Sequence, residues 1–596
     1  MKRWRAKALF LTGAACLAFA IPAAGQEDVL PPGFGDPGTA PQPKEKEAPE
    51  APATPEPSET PAEEAPRPVR GADSPIIENS AVEDLEALEE LADLPPPIEI
   101  PDEARRPTNI VGALTADNWG LGFNAFGDAH GRLLTSLMGR LDAPLPSRWS
   151  SMLLRRALLS QVPAPRLVNE VDWVAERAWL LLRMGEADSA RALVQAVDVD
   201  RFTPRMFTVA VQTALATADP AGLCPLVGPG REASDQPFWP LAEAMCAAIQ
   251  GDASRASQLI DQSRRRLGGG SIDLLLAEKV VGAGTNTRRA VTIEWKDVDS
   301  LNTWRFGLAS ATGLKVPEEL IGRTGGHVRA WEARAPMIPL DQRLLSAQTA
   351  AALGVFSHAN LVEIYSVIGD ATDPSDMAGT VADRLRRAYV AGKEADRISA
   401  LRSLWDDKDL GADRYARLIL TATAARRVTP SEELADRAAD IVASMLSAGL
   451  DRDAARWRAV VDGMGDEGDR AWSLLAVGAP RPIVDLSAGR VEEFAERESG
   501  HHGRMLVAAL AGLGRFDDPA ALGVDPVARS RWSQLIGLAA QRKQPGTVAL
   551  LAAVGMQTGG WRGVPPEHLY HALKALRTVG YEYEARMIAA EAMTRL

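Results

Sequence analysis

The chain lacks the short motifs that announce a common catalytic centre. It has no His-Glu-x-x-His pair of the zinc proteases and no Gly-x-Ser-x-Gly nucleophile elbow. Gly120-Leu121-Gly122-Phe123-Asn124-Ala125-Phe126-Gly127 holds only part of a dinucleotide fingerprint, and no βαβ pattern surrounds it. Cysteine is scarce, with three residues in 596. Convincing period-two alternation is also scarce, so a sheet-based fold is not expected. Past the first residues no apolar run reaches the roughly twenty positions a membrane-spanning helix needs.

A basic surface is missing too. The net charge is −13, and its placement matters more than its size. Residues 26–106 carry 21 Asp/Glu against 6 Lys/Arg, and residues 107–596 are left at about −2 once the four cations of the first seven residues are set aside. A nearly neutral body argues against a nucleic-acid partner and against a cationic membrane-binding face.

What is present begins with an export signal. Lys2, Arg3, Arg5 and Lys7 precede an apolar stretch over Ala8–Pro22, and Ala23, Ala24 and Gly25 suit a signal peptidase. Residues 1–25 therefore read as a cleaved signal peptide and the destination as the periplasm. Residues 26–79 follow as a Pro/Ala/Glu-rich acidic linker with too few apolar groups to offset ordering entropy. Counted through residue 106 the stretch is about eighty residues, and a coil of that length spans roughly 50 Å on average, so the linker is expected to act as a disordered tether. Residues 80–107 hold one island, where Val82, Leu85, Leu88, Leu91 and Leu94 recur every three positions among acidic residues before Pro95-Pro96-Pro97. This narrow stripe either packs on the helical body or docks into a partner groove.

Beyond Thr108 apolar residues recur at three- and four-residue spacing over runs of ten to fifteen, broken by Gly, Pro and Asp. Helices are expected over Trp173–Met184, Ser189–Val197, Leu241–Gln250, Ala253–Arg266, Leu434–Ala448 and His568–Val579. The best strand candidates are Asn109–Val111 and Val291–Trp295, both short. Four junctions share a pattern, opening at Gly185, Gly251, Gly449 and Gly580. Each has Ala five residues on (Ala190, Ala256, Ala454, Ala585) and a larger residue eight on (Leu193, Leu259, Trp457, Ile588). Glycine accepts the left-handed turn that ends a helix, alanine lets the next helix approach, and the larger residue fills the gap.

This junction resembles that of the tetratricopeptide repeat, a helix–turn–helix unit of 34 residues. Aligning the turn glycines places Ala178 with Ala190, Ala244 with Ala256, and Leu573 with Ala585 at the family's small crossing positions. The glycine intervals are 66, 198 and 131, close to multiples of 33. The family's first-helix Tyr is replaced by Leu181, Ala247 and Leu576, and its second-helix Phe by Val194, Ile260 and Ala589. The resemblance implies an all-α fold, an irregular tetratricopeptide-like α-solenoid of helical hairpins with halves at 108–340 and 341–596.

Few residues suggest chemistry. Cys224 and Cys246 are a candidate disulfide in an oxidising compartment, closing a loop of roughly 22 residues worth on the order of 3 kcal/mol. His568 and His571 sit at i, i+3 beside Glu567, but a zinc site would need a further ligand. Glu498-Ser499 resembles the catalytic Glu-Ser of goose-type and soluble lytic transglycosylases, whose later Gly-Leu-Met-Gln and Ala-Tyr-Asn elements are missing here. The aromatic, Gly-rich 117–131 stretch is expected to cap the helical stack. No catalytic, cofactor or metal residue is assigned. The expectation is a non-catalytic envelope scaffold binding protein or peptide partners, with a peptidoglycan-active enzyme as the alternative.

Overall fold

The computed structural model describes residues 101–596 apart from 268–269, 286–290, 409–412 and 499. The signal segment, the tether and the Val82–Leu94 stripe lie outside the described residues. Pro107–Leu596 belong to one compact unit, mostly helical. Its small sheet pairs Ile110–Val111 with Val162–Pro163, antiparallel. Of the two strand candidates, then, only the first pairs. Residues 291–295 are irregular backbone, with Ile293 and Trp295 resting against the core.

The helices begin where the sequence supplies caps. Asn169 accepts from the backbone N–H of Val171 and Asp172 at the start of Glu170–Arg183. Thr203 caps Pro204–Ala216, whose first residue is the proline that fits there. Ser357 and Asn360 form a reciprocal capping box before His358–Ala371. Successive helices pack as hairpins, among them Glu170–Arg183 with Ala187–Val194, Trp239–Ile249 with Ala253–Leu267, Gly326–Arg334 with Leu344–Leu353, and Pro566–Thr578 with Glu582–Arg595.

The four junction glycines take the conformation their spacing suggested, with φ between 77° and 93°. Each closes its helix by the same pair of bonds. At Gly185 these run from Glu186 N–H to the Leu181 carbonyl and from Gly185 N–H to that of Leu182, and the pattern recurs at Gly251, Gly449 and Gly580. Ala190, Ala256, Ala454 and Ala585 are all fully buried, as are Leu193, Trp457 and Ile588, while Leu259 is half-buried. The same closure occurs at Gly313, Gly354 and Gly514, and without glycine at Ala218 and Lys543, whose φ values are 53° and 54°. Ala218 stands 33 residues from both Gly185 and Gly251, so the interval of 66 is two steps of 33.

A stack in which each hairpin meets only its neighbours would leave its first and last helices apart. Here helices near the two ends pack together: Arg148–Leu159 lies against Pro545–Gly555 and Glu582–Arg595. Glu591, with no exposed side-chain surface, sits at the N-terminus of Arg148–Leu159. It accepts from Ser147 Oγ (2.8 Å) and from the N–H groups of Arg148 (2.9 Å) and Trp149 (3.2 Å), and Arg595 donates to it at 3.0 Å. A carboxylate there satisfies orphan donors and complements the positive end of the helix. The 117–131 stretch joins the same seam. Asn124 Nδ2 donates to the Lys543 carbonyl (3.0 Å), and the Ala125 carbonyl accepts from Gly546 N–H (2.7 Å). It therefore links the beginning of the unit to its end instead of covering a free end of the stack.

One buried cation fixes the entry of the chain. Arg177 donates to the carbonyls of Leu158 (2.7 Å), Val111 (2.9 Å) and Ser160 (2.9 Å). Burial without a carboxylate partner lowers its pKa to about 9.

Candidate functional site

A cleft of about 420 Å3 lies against Glu394–Trp405, and two larger ones stand out among the described residues. The larger, about 720 Å3, lies where Arg414–Ala425, the Gly559–Gly563 loop and the last turn of Glu582–Arg595 meet. Its arginines are largely committed to the fold: Arg595 pairs with Asp413 (3.0 Å) and Arg414 with Asp440 (2.7 Å). We read it as part of the seam that joins the ends of the unit.

The second cleft, about 540 Å3, is built by Gly326–Arg334, Leu344–Leu353 and His358–Ala371 with the first turn of Val381–Val390. Its walls are aliphatic: Leu344, Leu345, Ile368 and Val381. Four of its polar groups come from three helices. Glu332 is almost fully buried and accepts from Ser346 Oγ; burial pushes its carboxyl above the usual range, against the lowering effects of that hydroxyl and of Lys315 and Arg329. Gln348 Nε2 donates to the Tyr365 hydroxyl oxygen at 2.7 Å, and burial pushes Tyr365 up to about 12. Gln348 Oε1 has no hydrogen-bond partner among the described residues. Lys315, Glu318 and Asp341 also line the cleft.

Helix His358–Ala371 forms one side of this cleft through Tyr365 and Ile368. Leu361, Tyr365 and Gly369 form a buried stripe at intervals of four, while Val367 on the same helix is exposed. A smaller cleft of about 220 Å3 shares Tyr365 and Ala382 and runs toward Val390, which is 67% exposed.

Two carboxyls are raised by burial in the described residues, Glu332 and Glu186. Glu186 does not line the Glu332 cleft. It follows the Gly185 turn and pairs with Arg155. A pair of carboxyls working on one bond, as in glycoside hydrolysis, needs both on one groove. Glu332 shares its cleft with the carboxyls of Glu318 and Asp341, but not with Glu186.

Cys224 and Cys246, the two cysteines singled out in sequence, form a disulfide with Cα atoms 5.4 Å apart. It ties the start of Cys224–Ala233 to Trp239–Ile249. His568 is engaged by the backbone. Its Nδ1 lies 2.8 Å from the Gly555 carbonyl, and both His568 and His571 pack on Trp532. No group of three His, Cys, Asp or Glu suited to a metal occurs among the described residues. Glu498 is half-exposed and meets His502 at 3.2 Å, while Ser499 lies outside the described residues. Gly120 serves packing, since a Cβ there would sit 2.5 Å from the Leu114 carbonyl oxygen. Glu332, Ser346, Gln348 and Tyr365 carry no sequence motif, and the only hint of them is polar side chains inside apolar helices. No family model, curated protein or solved structure matches this chain.

Proposed function

We propose that this chain is an exported, non-catalytic helical scaffold of the bacterial cell envelope, an irregular tetratricopeptide-like stack that binds protein or peptide partners. The observation that carries this reading is the Glu332 cleft. It combines aliphatic walls with a polar end where Glu332 meets Ser346 and Gln348 meets Tyr365, a composition suited to gripping a side chain. The 33-residue steps through Gly185, Ala218 and Gly251 support the repeat reading. The N-terminal 25 residues direct export to the periplasm and are removed. The acidic linker then acts as a disordered tether, and Val82, Leu85, Leu88, Leu91 and Leu94 form a docking stripe for a partner.

Crosslinking in intact cells, followed by purification, tests both parts. The full chain is expected to retain a defined set of envelope proteins, and a variant lacking 76–106 to lose at least one. An unchanged set sinks the docking stripe. Release of soluble fragments when the purified chain is incubated with peptidoglycan, abolished by Glu498→Gln, would replace the scaffold with an enzyme.

A further inference from the structure

We infer that the Glu332 cleft is the subsite for one arginine side chain of a partner polypeptide. The inference rests on the scaffold reading and gives its partner a chemistry. Three carboxyl groups line the cleft, Glu318, Glu332 and Asp341, against one ammonium, that of Lys315. Glu318 at the rim is held by Arg329, and Arg343 beside the cleft donates to the Ala333 carbonyl at 3.1 Å. Glu332 is different. Its one described hydrogen bond is the neutral Ser346 hydroxyl, and no ion pair holds it among the described residues. A desolvated carboxylate with spare lone pairs gains most from a donor that brings positive charge.

The second observation is Gln348. It is 5% exposed and lines the same cleft, and its Oε1, closed off from solvent, has no hydrogen-bond partner among the described residues, so a ligand donor reaches it once the side chain turns. A buried acceptor left without a donor costs stability, so a ligand that supplies one is favoured. The cleft thus offers acceptors at its polar end and Leu344, Leu345, Ile368 and Val381 along its sides. An arginine matches both features. Its methylene stem covers apolar surface, and its planar fork carries five donors that can serve a carboxylate and an amide oxygen together. The exposed Val390, with Val362 and Leu385, gives the flanking residues of such a segment an apolar surface in the adjoining cleft.

The test uses the full chain and two blocked amino acids of nearly the same shape. N-acetyl-arginine methylamide carries the cation, and N-acetyl-citrulline methylamide lacks it. Binding is followed by saturation-transfer NMR with titration. The arginine probe is expected to bind at least about tenfold more tightly than the citrulline probe. Glu332→Gln should remove that preference with the thermal unfolding curve preserved. Lys315→Ala, at an exposed position, should strengthen arginine binding severalfold by deleting the competing ammonium. Equal binding of the two probes overturns the assignment, as does an arginine preference that survives Glu332→Gln or weakens with Lys315→Ala. If the probes fail while envelope partners are still captured from cells, the scaffold reading stands and this subsite falls.

Discussion

The most exacting test of the architecture is Glu591→Gln. This carboxylate lies out of solvent and accepts from one hydroxyl, two backbone N–H groups and Arg595. Hydrogen bonds to a charged group contribute about 1.5–3 kcal/mol each, and charge at a partly buried helix N-terminus up to about 2 kcal/mol. The amide keeps one accepting oxygen and turns an NH2 toward donors, so roughly half of that network is lost. The expected cost is about 3 kcal/mol, the range for breaking a buried pair. Glu584→Gln is the matched control. Its bond to Arg156 at 2.7 Å also joins the end of the unit to the helix Arg148–Leu159, but nearer the surface, and its loss should cost about 1 kcal/mol or less. Urea unfolding followed by tryptophan fluorescence compares the two. Glu591→Gln should shift the midpoint well below that of Glu584→Gln. Equal shifts would refute the claim that a buried carboxylate cap holds the ends of the chain together.

Other expectations follow from individual groups. His327 packs edge-on to Trp331 with its Nδ1 out of solvent, and burial beside Arg183 lowers its pKa to about 4. The unfolded state therefore takes the proton first as pH falls below 6.5, and stability is lost between pH 6.5 and about 4. The full shift is worth about 3 kcal/mol, trimmed to about 2 kcal/mol because part of the residue meets solvent. His327→Leu should flatten that part of the urea-midpoint profile, and parallel profiles would contradict it. Gly185→Ala puts a Cβ 2.6 Å from Ala330 Cβ at a φ of 89°, whereas Gly251→Ala, at 92°, meets open space. The first should cost about 2 kcal/mol and the second about 1 kcal/mol by thermal unfolding; a reversed order would count against the close helix approach. Iodoacetamide should leave Cys224 and Cys246 unmodified until a reductant is added, as mass spectrometry would report, and modification of the unreduced, urea-unfolded chain would show free thiols.

The helical class and much of its punctuation were legible in the sequence because period and caps are local. The hairpin over 170–194 follows from its apolar spacing and Gly185. Ala218 and Lys543 make the same turn without glycine, so a search keyed to glycine passes over them and the 33-residue step stays half hidden. Residues 291–295 have β-branched composition but pair with no strand among the described residues, since pairing is settled by tertiary context. The seam at Glu591 joins positions more than 440 apart, and nothing in local pattern foretells it. The cleft was hidden for a similar reason. Glu332, Gln348 and Tyr365 sit on three helices at spacings that belong to packing, not to a motif.

The central claim is that the Glu332 cleft is where this scaffold holds a partner chain. A photo-crosslinking residue at Val390, incorporated into the full chain in its own cells, tests it most directly. The account predicts a discrete covalent adduct with an envelope polypeptide, mapping to a segment that contains arginine and lost in Glu332→Gln. No adduct from Val390, or one unaffected by Glu332→Gln and mapping to a segment without arginine, would contradict it.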